Sequence, residues 1–174
     1  MTKPGVTFAT INDIPQILTL VNHAYRGEEA KKGWTHEADL IEGKLRIDER
    51  QLATMFFHPN AVILKYEEHE GKISGCVYLE KKDKKLYLGM LSVRPDLQAK
   101  GIGKLLLSAA QEYALQQNCE WIEMTVISAR HELIAWYERN GYHKTGATQP
   151  FPEDERFGTP RKPIEFIVME KRLE

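Results

Sequence analysis

Residues 91–107 read Leu91-Ser92-Val93-Arg94-Pro95-Asp96-Leu97-Gln98-Ala99-Lys100-Gly101-Ile102-Gly103-Lys104-Leu105-Leu106-Leu107. A strand-like apolar segment stops at Pro95, and a helical pattern begins after the Gly-Ile-Gly triplet. The first N–H groups of a helix lack partners within the helix and lie at the positive end of its dipole, so they bind phosphate groups. Glycine allows close backbone approach to an anion. The stretch therefore predicts a phosphate-binding turn, to which Lys100 and Lys104 add positive charge.

Two well-known glycine motifs do not fit this turn. A dinucleotide fingerprint requires a third glycine three residues after the second, where this chain has Leu106. A P-loop requires Ser or Thr after Gly-Lys, but Leu105 follows Lys104. A glycine pair alone also suits a plain loop-to-helix turn. The flanking residues must therefore decide what the turn holds.

The flanks resemble the acetyl-CoA motif of the GCN5-related N-acetyltransferase superfamily, which reads Val-x-Pro, several residues, then Gln/Arg-x-x-Gly-x-Gly/Ala. This chain has every part of the motif: Val93, Pro95, Gln98, Gly101 and Gly103. The resemblance covers nearly the whole chain and is strongest over residues 86–142. It implies acetyl-CoA as the cofactor and one N-acetyltransferase domain over residues 1–174. It also implies a set of cofactor-binding residues: Leu91, Ser92, Val93, Gln98, Ala99, Lys100, Gly101, Ile102, Gly103, Lys104 and Arg130.

The strand before the turn is expected to be irregular. In the family a bulge splays this strand, and a bulge frees backbone groups from the sheet. Mapped onto this chain, the bulge involves residues 89–92, and the backbone of Leu91 and Val93 bonds pantetheine and the thioester oxygen. An N–H group aimed at that oxygen would stabilise the charge that develops there. The two side chains can still pack as ordinary strand residues.

A second resemblance lies in residues 135–142, which read AWYERNGY. They are similar to the family's Tyr-Glu-x-x-Gly-Phe/Tyr signature, whose tyrosine is in many members the acid that protonates the leaving thiolate. Tyr137 is therefore the predicted catalytic residue, although its helical spacing from Leu133 also suits simple packing. Seven residues earlier the family often has an asparagine that bonds pantetheine. Arg130 stands there instead, a charged donor that suits a phosphate or an acidic substrate group.

Two irregular segments, residues 25–39 and 150–158, are expected to wall the acceptor site, since functional residues often lie on such loops. The predicted substrate-binding residues are Tyr25, Arg26, Trp34, Glu37 and Phe151. Arginines there suit a carboxylate and acidic residues suit an ammonium group, while the aromatic residues either line the site or fix the loops to the body. The general base stays open among Glu28, Glu29, Glu37, Glu80, His131 and a chain of water molecules.

Composition restricts the class of protein. The net charge of the 174 residues is −1, so no overall field favours nucleic acid or an anionic membrane, and we expect neither as a partner. Cys76 and Cys119 have neither metal-site spacing nor a disulfide framework. No signal peptide and no membrane-length apolar run is evident. We therefore expect a cytoplasmic, metal-free protein that is a monomer or a homodimer.

The order of predicted elements is strand, helices, three strands, helix, strand, helix and two strands. It predicts an α/β (α+β) fold with a mixed, mostly antiparallel sheet and helices on both faces. The strand over residues 72–80 is expected to place Ile73, Gly75, Val77 and Leu79 on one face, and residues 148–163 to form a proline-rich loop. Residues 48–51, Asp48-Glu49-Arg50-Gln51, are predicted to form a capping box that opens a short helix.

The expected function is direct transfer of an acetyl group from acetyl-CoA to a primary amine of a small molecule or peptide. Two alternatives remain within the class of enzymes, namely another acyl-CoA as donor or an oxygen acceptor. A third alternative is a non-catalytic CoA-binding regulatory module, because fold alone does not determine function.

Overall fold

A seven-stranded sheet forms the centre of the structure, a computed structural model that describes residues 5–26, 33, 37, 40–42, 45–68, 71–98, 100–151, 158–161 and 164–173. Its spatial order is β1 (Val6–Phe8), β3 (Ala61–Glu67), β4 (Ile73–Lys82), β5 (Lys85–Val93), β6 (Trp121–Ile127), β9 (Glu165–Arg172) and β7 (His143–Pro150). Only β5 and β6 are parallel among these neighbours. The prediction of a mixed, mostly antiparallel sheet is thus confirmed.

Four α-helices lie among the described residues: α1 (Ile14–Tyr25), α2 (Glu49–Phe56), α3 (Ile102–Gln116) and α4 (His131–Arg139). Apolar residues of α1 and α2 form one buried cluster with β3 and β4, and those of α3 and α4 form a second with the sheet. Removal of this apolar surface from water is the main stabilising term of both layers. Helices therefore cover both faces, as predicted. None of the described helices has the length and apolar character needed to cross a membrane.

The prediction for β4 is wrong at one position. Ser74 is an extra residue relative to β3, because Gly75 pairs with Tyr66 while Ile73 pairs with the next residue, Glu67. A bulge of this kind breaks the two-residue alternation of side chains. Ile73 consequently packs in the α1 cluster, whereas Val77 and its face-mate Leu79 pack in the α3 cluster.

The predicted proline-rich loop over residues 148–163 is also partly wrong. The strand β7 continues to Pro150, and Thr159–Pro160 forms a short strand, β8, that pairs with β2 (Ile41–Glu42). Both prolines occupy positions where a missing N–H is tolerated, at the end of an edge strand and in a two-residue ladder. Residues 152–157 of this segment lie outside the described part of the chain.

Candidate active site

The two central strands separate along part of their length. The parallel pairing of β5 with β6 involves Lys85–Tyr87 and Trp121–Glu123 and does not continue along the rest of these fully described strands. Residues 88–91 and 124–127 instead line the two sides of an opening, here called the slot. Unpaired strand edges present backbone donors and acceptors that can bind an extended ligand. The slot is therefore suited to a chain-like molecule with amide groups.

A bulge in β5 borders the slot. The register with β4 shifts so that Gly89 pairs with Tyr78 and Ser92 pairs with Cys76, which leaves two residues of β5 opposite one of β4. Met90 adopts a left-handed conformation with φ of 57°, which is uncommon for a residue other than glycine. The predicted bulge over residues 89–92 is confirmed. The hydroxyl of Tyr25 donates a hydrogen bond to the carbonyl oxygen of Leu91 in this bulge.

The glycine turn follows directly and leads into α3. Gly101 caps the helix with φ of 89°, a conformation that glycine adopts at little cost. The side chain of Gln98 donates a hydrogen bond of 3.0 Å to the carbonyl oxygen of Val93, which ties the turn to the end of β5. A Cβ atom at Gly103 would lie 3.3 Å from the Trp136 ring, so any larger residue at position 103 would crowd the start of α3. The turn thus fits the pyrophosphate expected there.

Two cavities meet beside this turn. The turn-side cavity has a volume of about 190 Å³ and is lined by Gly101, Gly103 and Lys104 of the turn, among other residues. The slot cavity has a volume of about 540 Å³. Four residues line both cavities: Tyr25, Leu91, Leu133 and Tyr137. A donor that reaches the junction from the turn along the β5 edge could therefore react there with an acceptor held in the rest of the slot cavity.

Tyr137 lies at this junction and is well buried, with 6% of its surface exposed. Burial raises the pKa of its hydroxyl well above the usual range, and Tyr25 adds to this effect while Arg130 opposes it. The ring packs edge-on against Trp136 and Tyr142, with centroid distances of 5.1 and 5.8 Å. These contacts hold a protonated phenol in one orientation beside the slot, which is a suitable arrangement for a proton donor.

A buried charge cluster forms one wall of the slot cavity. The Arg26 Nε atom lies 3.0 Å from Glu37 Oε1, and the Arg130 Nη1 atom lies 3.6 Å from Glu37 Oε2. All three residues are at least nine-tenths buried. Burial lowers the pKa of Arg26, which Glu37 partly offsets. Because both oxygens of Glu37 face guanidinium groups, the cluster is a rigid structural unit, and loss of one partner would leave a buried charge uncompensated.

Most predicted cofactor-binding residues come together, but some differ in their surroundings. The turn-side cavity is lined by Leu91, Val93, Gln98, Gly101, Gly103 and Lys104. Ser92 is buried and its hydroxyl donates to the carbonyl oxygen of Met90, Ile102 packs in the α3 cluster, and Lys100 is exposed. Arg130 lines the slot cavity rather than the turn-side cavity. Ala99 lies outside the described residues.

The predicted acceptor residues Tyr25, Arg26, Glu37 and Phe151 all line the slot cavity. The predicted residue Trp34 lies outside the described part of the chain, as do Glu28 and Glu29 among the candidate bases. Other lining residues had no signal of function in the sequence, including Arg46, Tyr78, Tyr87 and Phe166. Tyr78, Tyr87 and Phe166 are aromatic residues of strands, and in the sequence such residues are typical of a core. Only the order of strands in the sheet shows that they lie beside one opening.

Comparison with known proteins agrees with this geometry. Residues 17–142 match the profile of the Acetyltransferase (GNAT) family, a span that includes the turn, the slot strands and Tyr137. No curated protein sequence matches the chain significantly. Members of the family bind acetyl-CoA, and the turn and slot described above fit that cofactor.

Solved structures share the fold at low sequence identity. The ribosomal-protein-S18-alanine N-acetyltransferase from Escherichia coli superposes with a TM-score of 0.72 at 14% identity, over 97% of this chain and 93% of that one. The protein smu.2055 from Streptococcus mutans gives a TM-score of 0.73 at 16% identity, over 97% and 99%. A putative streptothricin acetyltransferase from Bacillus anthracis, in complex with acetyl coenzyme A, gives 0.57 at 19% identity, over 67% and 65%. The chain therefore belongs to the GNAT family of acetyl-CoA-dependent acetyltransferases.

Proposed function

We propose that the chain, acting as one catalytic domain, transfers an acetyl group directly from acetyl-CoA to a primary amine of a small molecule or peptide. The observation that carries this proposal is the meeting of two cavities at Tyr25, Leu91, Leu133 and Tyr137. Direct transfer is favoured over a cysteine-linked intermediate, because Cys76 is fully buried and burial raises the pKa of its thiol to about 12. A neutral buried thiol is a poor nucleophile.

The donor side is built from backbone groups. The first N–H groups of α3, with Gly101 and Gly103, hold the pyrophosphate, and Lys104 adds a positive charge. The β5 backbone at Leu91 and Val93 bonds the pantetheine arm along the slot, as an added strand would. When bound, acetyl-CoA supplies the activated acetyl thioester. An N–H of the bulge then donates a hydrogen bond to the acetyl oxygen, where negative charge develops.

Tyr137 donates the proton that the departing thiolate requires. Its hydroxyl lies where the cavities meet, and its raised pKa keeps the phenol protonated over the whole physiological range. A correctly placed acid of this kind typically contributes about 100-fold or more to a rate.

Glu80 is the candidate base that the structure supports best. Tyr78 lines the slot cavity, and its hydroxyl donates a hydrogen bond of 2.6 Å to Glu80 Oε1. The Tyr78 hydroxyl can accept a proton from the amine while it passes its own proton to Glu80. The positive charge of the amine is thus neutralised, and no ammonium group remains in the cavity. Glu80 itself lies outside the cavity lining and also faces His58 and Lys82, so its bond to Tyr78 is what distinguishes it. Glu37 is held between two arginines instead, and His131 is exposed.

The proposal is tested by release of free thiol. Acetyl-CoA would be incubated with the protein and a panel of amines, polyamines, amino acids and peptides, while CoA and the acetylated product are quantified together. Stoichiometric CoA and N-acetyl product support direct transfer to an amine. Tight CoA binding without turnover of any amine would instead support a regulatory CoA-binding module. Faster reaction with a longer acyl-CoA would show that the longer acyl-CoA, and not acetyl-CoA, is the donor.

A further inference from the structure

The slot cavity contains a third arginine that forms no ion pair with any described residue. Arg46 lines the cavity, and its guanidinium lies over the ring of Tyr25, with Cζ 4.6 Å from the ring centroid. Arg26 and Arg130 in the same cavity are both engaged with Glu37. Among the described residues, no carboxylate lies within ion-pair distance of Arg46. Its charge is therefore available to a ligand.

The position of Arg46 is fixed by a buried residue of α1. The Oδ1 atom of Asn22 accepts hydrogen bonds from the backbone N–H groups of Arg46 and Ile47, at 2.6 and 3.1 Å. The Nδ2 atom of Asn22 donates to the carbonyl oxygen of Ile47 at 3.0 Å. Such a clamp on an irregular segment holds the arginine at the cavity wall before any ligand arrives. Preorganisation of this kind reduces the entropic cost of binding.

The remaining walls indicate what else the ligand carries. Ile47, Met55, Met90, Phe151 and Phe166 form an apolar and aromatic part of the lining, and Gln51, Thr125 and Gln149 form a polar part. The supporting ring of Tyr25 lines both cavities. The guanidinium of Arg46 is thus close enough to the junction for one small molecule to place an anion on Arg46 and its amine at the junction. Its remaining bulk would face apolar side chains, whose burial favours an uncharged body.

We infer that the acceptor is a small amine that also carries a carboxylate and an apolar body, with the carboxylate bound by Arg46; this inference rests on the proposed acetyl transfer. Guanidinium groups match carboxylates with two parallel hydrogen bonds. Arg46 is in this view a specificity residue of the acceptor site. The class of acceptor includes apolar amino acids and excludes simple alkylamines.

The test compares matched acceptors that differ only in the carboxylate. The pairs are leucine with leucinamide, methionine with methioninamide, and phenylalanine with phenylalaninamide, each at saturating acetyl-CoA. We expect at least one acid to have a kcat/KM about 10-fold or more above that of its amide, as loss of a charge-assisted hydrogen bond would produce. The amides have the more easily deprotonated amine, so simple amine reactivity biases the result against this expectation.

Arg46→Met removes the charge and keeps the length of the side chain. It should raise KM for the preferred acid about 10-fold or more, raise KM for the matched amide much less, and weaken binding of the acid to CoA-saturated protein in calorimetry. Arg46→Lys should restore part of the affinity. The control is Arg50→Met, an exposed arginine on α2 outside both cavities, which should behave as the wild type.

Three results would overturn the inference. Equal kcat/KM for every acid and its amide would remove the carboxylate requirement while leaving acetyl transfer intact. An equal effect of the Arg46 and Arg50 variants would show that the anion is bound elsewhere. Absence of CoA release with every amine, despite acetyl-CoA binding, would overturn both the inference and the proposed transfer.

Discussion

At the scale of single residues, Tyr137 has two properties that together define its proposed role. It is buried among aromatic rings, and it borders both cavities. Many buried tyrosines pack among aromatic rings without bordering a cavity, as Tyr142 does. The sequence could identify the residue through its resemblance to a signature, but helical spacing alone could not separate a catalytic tyrosine from a packed one.

Replacement of Tyr137 by phenylalanine should lower kcat about 100-fold, because the leaving thiolate then lacks its proton donor. The wild-type kcat should show no decline up to about pH 10, since the raised pKa of Tyr137 keeps the hydroxyl protonated beyond the ordinary value of a tyrosine. Steady-state kinetics from pH 6 to pH 10 would check both expectations. Tyr142→Phe is the control, because Tyr142 is buried beside Tyr137 but lines neither cavity. Unchanged kcat in the Tyr137 variant would exclude it as the acid.

At the scale of elements, α3 joins the core to the glycine turn. Its inner residues Leu106 and Ala110 pack in the central cluster, while its first turn lies beside the turn-side cavity. Gly103 lines the turn-side cavity and also packs against α4, since a Cβ there would meet the ring of Trp136 at 3.3 Å. A branched side chain would push α3 away from α4 and fill the space that we propose for the pyrophosphate.

Gly103→Val should therefore raise the dissociation constant for acetyl-CoA by about 10-fold or more. Calorimetric titration would measure the affinity, and circular dichroism would verify that the variant is folded. Ser108→Val supplies the matched control, because it places the same β-branched residue on the exposed side of the same helix. Equal affinities in the two variants would mean that the turn does not hold the cofactor.

Local signals predicted the elements best. The strand-turn-helix unit follows from glycine and proline positions. The predicted capping box is half confirmed, since Asp48 Oδ1 accepts a 2.7 Å hydrogen bond from the Gln51 N–H, but the Gln51 side chain does not accept the reciprocal bond from the Asp48 N–H. The placement of Ile73 was wrong because the sequence does not show a one-residue bulge. Such a bulge moves the side chains on one side of it to the opposite face of the sheet. Arg46 could not be identified, because Asn22 and Tyr25, which position it, are joined to it only by the tertiary fold.

At the scale of the whole molecule, buried tyrosines make stability depend on alkaline pH. Burial is the first cause that raises the pKa of Tyr25, Tyr78, Tyr137 and Tyr142 above the usual value. In the unfolded chain these hydroxyls ionise near pH ~10. Their contribution to the free energy of unfolding is therefore complete below pH ~10 and is lost as pH rises further, because only the unfolded chain then releases the protons.

The midpoint of urea unfolding should consequently fall gently from about pH 8.5, where the unfolded chain ionises the thiols of Cys76 and Cys119 that burial keeps protonated in the folded protein, and fall steeply above about pH 10. Fluorescence-detected titrations at half-unit pH intervals would measure it. The double variant Tyr137→Phe/Tyr142→Phe should have a shallower fall, since two of the titrating groups are absent. A midpoint that stays constant to pH 11, or an unaltered slope in the double variant, would contradict this account.

The separation of β5 from β6 also affects how the parts of the molecule move relative to each other. Three residue pairs, Lys85–Tyr87 with Trp121–Glu123, are the backbone connection between the strands on either side of the slot. In the proposed complex, pantetheine bonded to the β5 edge would supply rungs that the sheet itself lacks. Acetyl-CoA would then connect the two parts of the sheet on either side of the slot. Its arrival should slow amide hydrogen exchange at residues 88–91 and 124–127 together, far beyond the atoms that take part in acetyl transfer.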